Sequence, residues 1–136
     1  MLAIDKKVEE YRSNLLRIDK MKKALIDCEI SLVSLKELLE LNIYEWRKLI
    51  HGELEEKEEK VWELINKTPN HIKERNKVAK DFKKALIDKG LTINEVSTEL
   101  KIDLNKLYRM INNISTNRDY EAEKKVNEFL GVKVFR

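Results

Sequence analysis

The chain has little of what bends or staples a polypeptide. Its 136 residues include three glycines, one proline and one cysteine. Cys28 stands alone, so no intrachain disulfide can form, and a reducing, cytoplasmic setting is expected. So few turn-formers argue against a sheet protein built on tight hairpins. Long apolar runs are missing as well. No segment approaches the ~18 residues that read as a membrane span, and the N-terminus lacks an apolar signal core, so no membrane partner is expected. His51 and His71 lie outside any Cys/His cluster, which leaves no zinc pattern. No glycine-rich phosphate loop, nucleophile elbow or metalloprotease motif occurs. An enzyme is therefore not expected, nor a cofactor or a metal.

What is present is charge and periodicity. Charged residues make up 39% of the chain and hydrophobic ones 42%, with Lys, Glu and Leu prominent. That profile belongs to helices, and an all-α fold is expected. The charge is uneven. Residues 1–68 hold 13 Lys/Arg and 15 Asp/Glu; residues 69–136 hold 15 and 10. An acidic-to-neutral half joined to a basic half fits an interaction segment joined to a polyanion binder. A solvated basic surface has the same composition.

From Ile4 to Leu41 neither Gly nor Pro interrupts the chain. Apolar residues recur as Ile4, Val8, Tyr11, Leu15 and Ile18, in steps of four and three that make a heptad seam. A second run follows as Ile18, Met21, Leu25, Cys28, Leu32, Leu35 and Leu39, and the two join with a step of three where four is due. Such a phase change is an overwinding or a helix break. Two geometries stay open: one helix of about 38 residues, roughly 57 Å long, or a helical hairpin turning near Glu29–Ser34, with Ser34 and Glu37 as a capping box. Shorter helices are expected over Ile43–Ile50, stopped by Gly52, and over 53–66. Trp46 and Trp62 are expected as packing residues. Residues 1–66 thus form a helical arm for oligomerisation or partner binding. Asn66–Asn70 is the boundary, and a second domain fills 69–136, its helices within about 69–131. Pro69 opens a helix running to Lys89, ended by Gly90. The sequons Asn66-Lys67-Thr68 and Asn113-Ile114-Ser115 are read as idle.

Residues 90–113 read GLTINEVSTELKIDLNKLYRMINN. Thr92 and Glu95 form a capping box, Val96 and Leu100 a buried stripe. Ile102 is an apolar plug in a three-residue turn, and Asp103 caps a second helix that buries Leu107, Met110 and Ile111. Asn105, Lys106, Tyr108, Arg109 and Asn112 are left outward. Two short helices on a plugged tight turn follow the helix-turn-helix plan, in which the second helix enters the major groove. Asn105 suits an adenine edge and Arg109 a guanine edge or a phosphate. Lys106 and Tyr108 reach backbone oxygens, while Thr92 and Asn94 stand at a helix start that receives phosphate. Leu104 can touch a thymine methyl.

Over about residues 73–131 these segments ("FKKALIDKGLT", "INEVSTEL", "KIDLNKLYRM", "KVNEFLGV") resemble the Xre/Cro-type, lambda-repressor-like helix-turn-helix family. The resemblance implies a compact five-helix domain, closed by a helix with Val126, Phe129 and Leu130, that binds operator DNA as a dimer. Here Lys101 and Asn113 stand where that family often has glycine, and Ile93 and Leu104 where it often has polar residues. The expectation is a transcriptional regulator of phage or plasmid type that binds double-stranded DNA through residues 104–112 and pairs through its N-terminal helices. The alternative is a protein-interaction adaptor or antagonist without specific DNA binding, contacting a protein partner through Ile93 and Leu104.

Overall fold

A computed structural model describes residues 3–113 and 117–136; the Asn113-Ile114-Ser115 sequon runs outside them. Among the described residues there are nine helices and no strand, so the chain is all-α as expected. No described helix is long and apolar enough to cross a membrane. The helices fall into two compact units, and the chain divides between them after Glu74.

The first unit holds α1 (Ala3–Asp27), α2 (Leu32–Leu38), α3 (Ile43–Ile50), α4 (Glu55–Lys67) and α5 (Asn70–Glu74). The single 38-residue helix does not form. Helix α1 stops where Glu29 takes a left-handed φ of 59°, letting the Ile30 N–H reach back to the Leu25 carbonyl at 3.1 Å. Ser31, rather than Ser34, caps α2, accepting the Ser34 N–H at 3.1 Å. Helix α2 ends in the same way at Glu40, φ 52°. Asn42 and Glu45 form a capping box for α3, a start signal absent from the reading above.

The phase change at Ile18 is not a break, because α1 runs through it. It marks where one helix passes from solvent into a core. Ile4, Val8 and Tyr11 of the first seam are 67, 43 and 55% exposed, whereas Ile18, Met21 and Leu25 of the second are at most 2% exposed. The buried run packs with Cys28, Leu35, Leu49, Val61 and Ile65. Trp46 and Trp62 lie against this cluster, half-buried. Helix α1 packs on α4 and α5. A polar clamp joins α1 to α4 and to the turn that precedes it. Arg17 donates from Nε and Nη2 to the two carboxylate oxygens of buried Glu58 (2.9 and 3.0 Å), and from Nη2 to the Gly52 carbonyl at 2.8 Å. Gly52 has φ +74°, and a Cβ there would lie 2.9 Å from Asn14 Cβ, so this turn needs glycine on both counts.

The second unit holds α6 (Lys77–Lys89), α7 (Ile93–Leu100), α8 (Leu104–Ile111) and α9 (Tyr120–Leu130). The helix expected from Pro69 to Lys89 is two helices. Asn76, left-handed at φ 55°, separates α5 from α6, and α5 belongs to the first unit. Phe82, Val96, Leu107, Ile111, Val126 and Leu130 form the core. The final residues complete it, beyond the 131 at which the expected helices end. Val134 and Phe135 are buried, and Asn127 holds them. Its Oδ1 accepts both of their N–H groups at 2.9 Å, and its Nδ2 donates to the Phe135 carbonyl at 2.9 Å.

Candidate functional site

Helices α7 and α8 are joined by Lys101, Ile102 and Asp103. The first of these helices starts where Thr92 Oγ1 accepts the Glu95 N–H and Glu95 Oε1 accepts the Thr92 N–H, both at 3.2 Å. It ends at Lys101, which has φ 54°, the glycine-favouring conformation without a glycine. The Ile102 N–H closes onto the Ser97 carbonyl at 3.1 Å, and the Ser97 hydroxyl donates to the Ile102 carbonyl at 2.6 Å. Those two bonds turn the Ile102 side chain inward, where it is buried. Asp103 then accepts the Asn105 and Lys106 N–H groups at 3.1 and 3.3 Å and opens α8.

Burial divides α8 cleanly. Leu107 and Ile111 are in the core, with Met110 half-buried against it. Asn105, Tyr108, Arg109 and Asn112 are exposed, and their spacing of three, one and three residues puts them on one face. Thr92 and Asn94 are exposed at the start of α7. Besides Thr92, which caps α7, two more of the candidate residues also serve the fold. The Asn112 side chain donates to the Tyr108 carbonyl at 2.9 Å and finishes the helix. Lys106 donates from Nζ to Asp119 Oδ2 at 2.5 Å, which draws its charge toward the start of α9. Leu104 is half-buried, and Ile93 packs against the core, so neither is the fully exposed apolar contact that the adaptor reading supposes. Asn113 is left-handed at φ 53°, a conformation that asparagine adopts more readily than most residues.

Beside α8 lies a cavity of about 110 Å3, lined by Lys106, Arg109 and Arg118 and by the carboxylates Asp119 and Glu123. Sequence reasoning missed the last three. Asp119 caps α9 through the Ala122 N–H at 3.1 Å, and an acidic residue just ahead of a helical period was a legible signal for it. Arg118 had no such signal. Its guanidinium binds both oxygens of buried Glu123 and the Arg136 carbonyl, and lies 4.7 Å from the Tyr120 ring centroid. Arg118 thus ties α9 to the C-terminal residues. Lys106 holds the Asp119 carboxyl below the usual carboxylate range, and the Ala122 N–H adds to this.

Charge is not concentrated on this helix pair. Residues 90–113 carry three Lys/Arg and three Asp/Glu, while α6 carries five lysines and two aspartates. No three of His, Cys, Asp and Glu converge as a metal site among the described residues. Compared with protein-family models, curated proteins and solved structures, the chain matches none.

Proposed function

We propose that the chain is a DNA-binding transcriptional regulator of phage or plasmid type, with α8 as its recognition helix. The observation that carries this reading is the outward face of α8. Asn105, Tyr108, Arg109 and Asn112 share it, while the plug Ile102 and the caps Thr92 and Asp103 position two short helices about a three-residue turn. An amide and a guanidinium one helical turn apart suit adenine and guanine edges, and the phenol between them suits a phosphate. The resemblance of residues 73–131 to the lambda-repressor-like family points the same way. Two copies would present two such helices to half-sites about 34 Å apart, paired through the N-terminal helices.

Neutrality of residues 90–113 favours a second reading, a protein-interaction adaptor or antagonist, because phosphate-driven affinity needs a cationic excess. Fluorescence anisotropy of labelled duplexes across a salt series separates the two. A regulator binds duplex DNA with an affinity that falls steeply with salt, and more tightly to its own upstream sequence than to random sequence. Replacing Asn105 and Arg109 together by Ala should weaken binding about hundredfold, since each good base contact is worth ~1–3 kcal/mol. No binding at low salt rejects the regulator reading and favours the adaptor.

A further inference from the structure

We infer that the first four turns of α1 are a pairing site for the same turns of a second copy, running antiparallel. This deepens the dimeric reading above and rests on it, but not on DNA recognition.

The seam is built, and its first three residues are uncovered. Ile4, Val8 and Tyr11 stand on one stripe of α1 and are exposed; Leu15, next on the stripe, is half-buried; Ile18 then enters the core. No described residue of the first unit buries Ile4, Val8 or Tyr11, yet α1 continues without interruption into the unit's buried centre. A stripe at alternating steps of four and three is the pattern by which two helices pack on each other. Between Ile4 and Leu15 the helix carries Lys6, Lys7 and Arg12 against Asp5, Glu9 and Glu10, a balance of zero. A neutral helix has no long-range attraction for nucleic acid or an anionic membrane.

The flanking charges select a second copy and its direction. Asp5 and Arg12 each follow a seam residue on one side; Lys7 and Asn14 each precede one on the other. In a parallel pair, residues that precede face residues that follow five positions on, so Lys7 meets Arg12 of the partner copy, twice, as like charges. In an antiparallel pair, like sides meet. Asp5 then meets Arg12 of the partner copy, twice, as opposite charges, and Lys7 meets Asn14. The apolar layers agree. Ile4 comes level with Leu15 and Val8 with Tyr11, so each layer sets a larger side chain against a smaller or equal one and no two tyrosines collide. Four layers bury less than the ~1,200 Å2 at which standard interfaces begin, so the dimer should dissociate at about 10–100 µM.

Sedimentation velocity on the full chain, without DNA, from low to high micromolar concentration, tests this. The expected result is a monomer–dimer equilibrium. Arg12→Asp should weaken it about tenfold by turning two attractions into two repulsions, and adding Asp5→Arg should restore it. Tyr11→Asp should leave a monomer. Circular dichroism of each variant should match the parent, because these positions are exposed and outside both cores. A parent that stays monomeric throughout overturns the proposal. So does Arg12→Asp tightening the dimer, since an aspartate facing Lys7 is what a parallel pair rewards. Self-association indifferent to all three changes places the contact elsewhere and overturns it too. Duplex binding by a chain that stays monomeric would sink the pairing and spare the regulator, and self-association without duplex binding would do the reverse.

Discussion

Asp119 does two things at one turn. Oδ1 accepts the Ala122 N–H that starts α9, and Oδ2 accepts Lys106 from α8. Replacing it by Asn keeps a good helix cap and removes the charge that engages Lys106. If Lys106 faces phosphates, Asp119→Asn should raise affinity for duplex DNA about two- to fivefold at low salt, with the gain shrinking as salt rises. Unchanged affinity in the anisotropy series would place Lys106 away from the DNA backbone. The same residue gives a pH signature. Lys106 and the Ala122 N–H depress the carboxyl in the folded chain. Its contribution is therefore fully present above the ordinary carboxylate pKa, about 3.9, and is lost as pH falls below that toward the folded value. Acid titration of stability should accordingly be shallower in Asp119→Asn than in the parent below about pH 4.

Among the elements, the joints are where sequence and structure part. Thr92–Glu95 and Asp103 were legible because a capping side chain acts on N–H groups two or three residues away. The left-handed joints at Glu29 and Glu40 were harder to read, since glutamate has no preference for that conformation; Asn76 favours it, but Asn is also common at other positions, so the residue alone did not mark a joint. So the hairpin near residues 29–34 could be entertained but not chosen, and one helix was expected where α5 and α6 are two. The periodicity of α1 shows which stripe is apolar, but not whether the chain itself covers it; only the fold separates the exposed seam from the buried one. Lys101 is such a joint within the candidate site. It is exposed and left-handed, so Lys101→Gly should raise stability by about 0.5–1 kcal/mol, relief of strain outweighing the added freedom of the unfolded chain. Urea unfolding measures this, and a loss of stability would mean that the lysine stem packs there.

At the scale of the whole molecule, two separate cores imply two folding units. Residues 75–136 alone should keep their helical circular dichroism and melt cooperatively, though marginally, as chains of about 60 residues do. Collapse of that fragment would show that its core needs the rest of the chain. The tail is part of the case, because truncation before Val134 removes two buried side chains and their three bonds to Asn127. The continuity of α1 has a consequence for how the molecule breathes. Its first turns leave Ile4, Val8 and Tyr11 exposed, and helices without packing support fray. Past Ile18 the same helix can open only when the first core opens. Amide hydrogens along α1 should therefore exchange with solvent along a steep gradient, fast near Ile4 and slow by Met21. Slowing of the fast end as protein concentration rises would be the trace of whatever grips it.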